Sequence, residues 1–268
     1  MKKTTLTYVS MGLVASCLTS SAANFAMTGG NIRIGDNWQN TDDASTGTLP
    51  GVGDTAVIAV DGTMNSLFNG DLSGATITQN AGLMTAAGFN WNNAIASSSY
   101  TLAGGAITAS NNFNIQSTTF NFTGGTFSFN AQLLSNNAAG TFNISGNAVL
   151  SSTGATGFDL RLNADNSTFD IASDWTGSFT SAEDATEADW ISQLVYGAGI
   201  IESGTAAQQN NARLISVGGT DITDANFGDF FVVTPDGSGG SSLTLVPEPS
   251  STALLGLGGL ALILRRRK

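Results

Sequence analysis

The chain has 268 residues, a formal net charge of −11 and a sequence pI of about 4.1; only 11% of its residues are charged, 33 are Gly and none is His. That balance excludes a nucleic-acid binder, which needs clustered Lys and Arg, and the missing imidazole removes the usual general base and zinc ligand. A hydrophobic content of 41%, with 15 Phe, argues for a packed body over a disordered one.

The N-terminus opens with Lys2-Lys3, an apolar stretch from Leu6 to Ala15 and a run of small residues through Ala22-Ala23. These are the three regions of a secretory signal peptide, so residues 1–23 are expected to be removed by signal peptidase after Ala22 or Ala23. The apolar part is too short for a permanent membrane span. Val14-Ala15-Ser16-Cys17 resembles a lipoprotein signal, which implies lipidation of Cys17 as the alternative processing route. Either way a single cysteine gives no disulfide framework.

From about residue 31 to 175, short bursts alternate apolar and polar positions between Gly, Asn and Ser. Thr119-Phe120-Asn121-Phe122-Thr123 and Thr126-Phe127-Ser128-Phe129-Asn130 are examples, and a period of two with aromatic and β-branched residues predicts strands with one buried face. A shared signature ends at Ile77, Ile107, Phe127, Phe142 and Phe169, irregularly spaced but close to one coil of a parallel β-solenoid. The expected class is all-β, a right-handed parallel β-helix over residues 24–245, with a β-sandwich as the alternative. Asn92-Asn93, Asn111-Asn112 and Asn136-Asn137 are candidates for corners where side-chain amides stack between coils. Trp38, the run from Thr46 to Ile58 and the Gly-Gly-Thr-Phe element resemble autotransporter-type β-helical repeat proteins, which implies a passenger-like β-helix.

Beyond Trp175 the pattern changes. Residues 182–197 predict one short helix, acidic in its first turns and stopped by Gly197. Phe230 to Thr234, a Pro-Asp-Gly turn and Ser241 to Leu245 predict a hairpin. Residues 175–245 are therefore expected to cap the open end of the solenoid.

The chain closes with Val246-Pro247-Glu248-Pro249, an apolar run from Ala253 to Leu264, and Arg265-Arg266-Arg267-Lys268. Two prolines hold Glu248 in an extended, accessible segment. A 12-residue apolar helix rises about 18 Å, less than the roughly 30 Å hydrocarbon core, so it supports only transient membrane association. Residues 246–268 closely resemble the PEP-CTERM sorting signal, which implies cutting near Pro-Glu-Pro by the membrane enzyme exosortase after export. With both ends gone, 19 acids face only Arg33, Arg161 and Arg213.

What chemistry remains is limited. A calcium-dependent polysaccharide lyase of β-helix type would draw on Asp159, Arg161, Asp165 and Asp170, yet in Asp159-Leu160-Arg161-Leu162 the polar residues alternate with Leu, as on the solvated face of a strand. Asp221, Asp224 and Asp229, or Glu183, Asp184, Glu187 and Asp189, are candidates for loose calcium binding, with loop solubility the commoner role of such acids; Trp38, Trp91, Trp175 or Trp190 are candidates for stacking on sugar rings, with a buried core role the expectation for any single one. The expectation is a non-catalytic structural or adhesive protein of the envelope surface or matrix, accompanying extracellular polysaccharide, with no cofactor and no metal. A carbohydrate-binding module or lyase is the alternative.

Overall fold

The computed structural model describes residues 22–64, 71–92, 98–135, 138–155, 157–162, 166–196 and 215–246. In chain order, two opening partial coils comprise β1 (Asn24–Met27) with β2 (Gly30–Asn31) and β4 (Thr55–Ile58) with β5 (Gly62–Thr63), and β3 (Trp38–Asn40) lies between them in the chain. Four complete coils follow, each of three strands. They are β6 (Thr76–Gln79), β7 (Leu83–Ala86) and β8 (Phe89–Asn92); β9 (Ser98–Leu102), β10 (Ala106–Ala109) and β11 (Phe113–Gln116); β12 (Thr118–Phe122), β13 (Thr126–Phe129) and β14 (Gln132–Ser135); and β15 (Thr141–Ile144), β16 (Val149–Ser152) and β17 (Asp159–Leu162). The last parallel rungs are β18 (Thr168–Ile171), β19 (Ser178–Ser181) and β20 (Ile215–Val217). The remainder is β21 (Thr220–Asp221), β22 (Phe231–Pro235) and β23 (Ser241–Leu245), with short helices α1 (Glu187–Trp190) and α2 (Phe227–Phe230).

Strands of successive coils stack into three sheets, ordered β21-β20-β18-β15-β12-β9-β6-β4-β1-β3, β2-β5-β7-β10-β13-β16-β19-β23-β22 and β17-β14-β11-β8. Coil-to-coil pairing is parallel and in register. The protein is thus an all-β solenoid, and the sandwich alternative is set aside by this parallel register.

Alternation explains the core. In the first sheet, Ile77, Tyr100, Phe120, Phe142 and Phe169 occupy one inward column, each paired with the next. Tyr100 and Phe120 stack with centroids 4.7 Å apart, and Phe113 of the third sheet meets Phe120 edge-on at 5.2 Å. Such pairs contribute about 0.5–1.5 kcal/mol beyond their area burial. The second sheet supplies the matching column Met84, Ile107, Phe127, Leu150 and Phe179. The repeat signature in the sequence therefore mixes two columns: Ile107 and Phe127 belong to the second sheet, the other three to the first. That mixture is why its spacing is uneven.

Among the buried polar side chains, Gln79 sits inside this core with its amide bonded. Gln79 donates through Nε2 to the carbonyls of Gly82 and Ala106 and accepts from Tyr100 Oη at 2.7 Å. Its amide is fully satisfied on the coil corner it bridges.

Gly-Gly before a second-sheet strand is a requirement of stacking. Gly125 has φ +69°, and a Cβ there would lie 2.6 Å from the carbonyl oxygen of Gly105 in the coil below. Only glycine gives both the left-handed turn and the close approach.

The stacked amides expected at the corners lie elsewhere. Asn143 Nδ2 donates to Asn121 Oδ1 at 2.8 Å on the outer face of the first sheet, whereas Asn111 turns back to accept from the Asn112 amide. Asn93, Asn136 and Asn137 fall outside the described residues, as does the side chain of Asn92.

Both ends of the stack reverse direction. β3 runs antiparallel to β1, β21 to β20, β23 to β19 and β22 to β23. These strands occupy hydrogen-bonding edges that further coils would otherwise pair with. The expected hairpin is β22 and β23. The expected helix is shorter than residues 182–197: α1 begins at Glu187 because Thr186 and Asp189 form a capping box there, and a π-helical turn, Ile191–Val195, continues it. Residues ahead of it are held otherwise, since Ser181 Oγ accepts from the amides of Glu183 and Asp184. Gly197 is outside the described residues.

Candidate functional site

The C-terminal segment that begins at Val246 adjoins the last strand. Val246, 37% exposed, donates its amide to the carbonyl of Phe230 at 2.8 Å, one residue past β23. Pro247, Glu248, Pro249, Arg265, Arg266, Arg267 and Lys268 lie outside the described residues, as does Cys17. Among the described residues no helix is long and apolar enough to cross a membrane.

β23 is fastened deep in the cap. Ser241 is buried, accepts from Trp190 Nε1 and donates to the carbonyl of Asp184. The Asp184 carboxylate, also buried, accepts from the Phe158 amide at 2.6 Å and from Gln193 Nε2 at 3.1 Å. It is satisfied by neutral donors, which ties the cap to the turn leading into β17.

Of the residues considered for lyase chemistry, the three that are described do not form one site. Arg161 reaches both oxygens of Asp159, Nε to Oδ1 at 2.8 Å and Nη2 to Oδ2 at 2.9 Å, and Gln132 adds a third bond at 2.9 Å. A guanidinium held bidentately by a buried carboxylate is a poor candidate for proton abstraction. Asp170 stands on a different sheet, facing outward and accepting from Ser216 at 2.7 Å; Asp165 is outside the described residues. Asp224 is engaged by the Tyr196 hydroxyl at 2.8 Å, and this acceptor pushes the phenol's pKa up. Asp189 caps α1 while Asp184 is buried, so the second acidic group is also split between structural tasks. Among the described residues no three His, Cys, Asp or Glu side chains group as a metal site would require.

The tryptophans are structural where their side chains are described. Trp38, Trp175 and Trp190 are buried, with indole N–H groups donating to the carbonyls of Ile32 and Ala148 and to Ser241 respectively. These three hold the buried core role expected of any single tryptophan, and none of their rings is open to stack on a sugar. The side chain of Trp91 is outside the description.

What the sequence did not single out is the outer surface of the second sheet. Register places Thr85, Thr108, Ser128, Ser151, Thr180 and Ser242 in one outward row on six adjacent strands. The row runs into a concavity of about 480 Å³ lined by Ser151, Thr180, Ser242, Thr234 and Asp236. A second concavity of about 430 Å³ lies beside Trp175, Thr244 and Val246, where the C-terminal segment leaves the body. Each hydroxyl sits at a polar step of the alternation, but only the coil-to-coil pairing aligns them.

Comparison with known proteins adds one match. Residues 245–268 fit the family model of the PEP-CTERM protein-sorting motif. No curated protein and no solved structure matches the chain. The motif indicates an exported protein sorted to the cell surface by exosortase.

Proposed function

We propose that this chain is a non-catalytic structural or adhesive protein of the cell surface or extracellular matrix, working in contact with extracellular polysaccharide. The observation that carries this reading is the placement of the sorting motif. It starts at the end of β23, so the β-stack is joined to its sorting signal with no intervening domain. A stack of in-register coils offers extended side faces, the kind of surface a solenoid uses for binding. Among the described residues the candidate catalytic groups, by contrast, are engaged with structural partners: Arg161 with Asp159, and Asp170 with Ser216.

Mass spectrometry of the protein from its native host tests this reading. The expected result is an N-terminus near Asn24 and a C-terminus near Pro247-Glu248-Pro249, in surface or matrix fractions. An intact chain in the cytosol would sink it. A lyase reading is tested by incubating the processed chain with acidic polysaccharides, where no unsaturated product is expected.

A further inference from the structure

We propose that the outer face of the second sheet, over β7, β10, β13, β16, β19 and β23, is a docking surface for an uncharged polysaccharide. This deepens the surface-protein reading above and rests on it for the chain's location. The first support is electrostatic. No Asp, Glu, Lys or Arg occurs from residue 72 to residue 158, so the central coils are neutral in a chain of net charge −11. Acids stand only toward the two ends, among them Asp54, Asp61 and Asp71 at one and Asp224, Asp229 and Asp236 at the other. A long anionic polymer laid along the stack would meet like charge at both ends, whereas a neutral chain meets none.

The second support is the state of the hydroxyls. On the first sheet the equivalent outer positions are knitted together: Asn121 donates to Ser99 Oγ and Thr101 Oγ1, and Asn143 to Asn121. On the second sheet, the hydroxyls of Thr108, Ser128, Ser151, Thr180 and Ser242 face outward with no hydrogen bond among the described residues. They recur about every 4.8 Å, the strand spacing of a sheet and comparable with the length of one pyranose unit. Each offers one donor and two acceptors, and the Thr methyls offer small apolar contacts between them. This is the chemistry of a polyhydroxylated, uncharged partner.

A second copy of the chain fits less well. Protein interfaces draw most of their energy from aromatic, Arg and aliphatic anchors in pockets. This face has no aromatic, and the exposed large apolar side chains beside it, Leu83 and Val232, sit at its two margins. The concavity at the other margin, with Ser151, Thr180, Ser242, Thr234 and the carboxylate of Asp236 around it, gives a neutral chain a place to end or bend, and would repel an anionic one.

The test uses the processed chain from its native host, co-sedimented with microcrystalline cellulose and with curdlan at low and high salt, and with calcium alginate for comparison. Retention on at least one neutral probe, insensitive to salt, is expected. The double variant Thr108→Asp/Ser151→Asp should weaken it by about tenfold or more. Thr108→Val/Ser151→Ala, which keeps the shape, should weaken it less, and Asn121→Asp on the first sheet should leave it unchanged; far-UV circular dichroism checks that each variant folds. The proposal is overturned by no retention on either neutral probe, by retention on alginate alone, by equal loss in Asn121→Asp, or by size-exclusion showing that the double variant splits a dimer. A chain found unprocessed in the cytosol would instead defeat the surface reading, and the binding outcome would still be read on its own.

Discussion

Trp190 and Ser241, 51 residues apart in sequence, are joined by an indole N–H to hydroxyl hydrogen bond of 2.8 Å in the buried interior of the cap. It links α1 to the strand that precedes the sorting segment, and Phe158 packs on the same indole with centroids 5.3 Å apart. Replacing Ser241 by Ala leaves a buried donor without an acceptor, which costs about 1–3 kcal/mol. Chemical denaturation of Ser241→Ala should show that loss. A midpoint unchanged from wild type would mean the cap does not rely on this bond.

Phe142 lies midway in the inward column between Phe120 and Phe169. Truncation to Ala removes a fully buried ring from a stack that cannot close up without shifting coil register, so a loss of about 4 kcal/mol is expected. Phe142→Leu should cost clearly less. Urea unfolding followed by circular dichroism measures both.

Gly125→Ala should be as damaging as a core truncation although it adds only a methyl. The left-handed backbone and the carbonyl of Gly105 together set a cost of about 3 kcal/mol. Thermal melting of the variant checks this. A melting temperature within error of wild type would show that the corner can relax.

Tyr100 predicts the alkaline behaviour of the fold. Burial pushes its phenol well above the ordinary value of about 10. A raised folded pKa means that the native state holds its proton longer than the unfolded chain, so this contribution is complete below pH 10 or so and is lost as pH rises beyond it. In an absorbance titration, the phenolate of Tyr100 should emerge only together with loss of the β-sheet signal. Gradual ionisation in a still-folded protein would contradict the buried placement.

Much of the architecture was legible in the alternation itself. Phe120 and Phe122, and Phe127 and Phe129, are core partners because a strand points every second side chain inward, and period two suffices to see it. What single-chain pattern could not give was which strand lies over which. Ile77 and Ile107 share a signature yet sit on different sheets, since the coil length varies and similar turn chemistry precedes strands of both. Sequence pattern alone places the helix start too early because acidic residues favour any first turn, whereas the Thr186 and Asp189 side chains fix one. The tryptophans were ambiguous by nature: a ring that stacks on sugar and a ring that plugs a corner have the same identity in sequence, and burial separates them. The hydroxyl row stayed hidden because its members, Ser128 and Ser151 for example, are in isolation ordinary outward-facing strand residues.

The in-register coils carry a consequence for how such a body can vary through descent. Ser99 pairs with Thr119, and the rungs between them form a closed loop of the solenoid whose floor and ceiling have the same pattern. Duplication or excision of one such unit would raise or lower the stack by about one strand spacing, roughly 4.8 Å, without disturbing the covers at either end. Length in this architecture is a count of units, and adding or removing one leaves the corners of the others as they are.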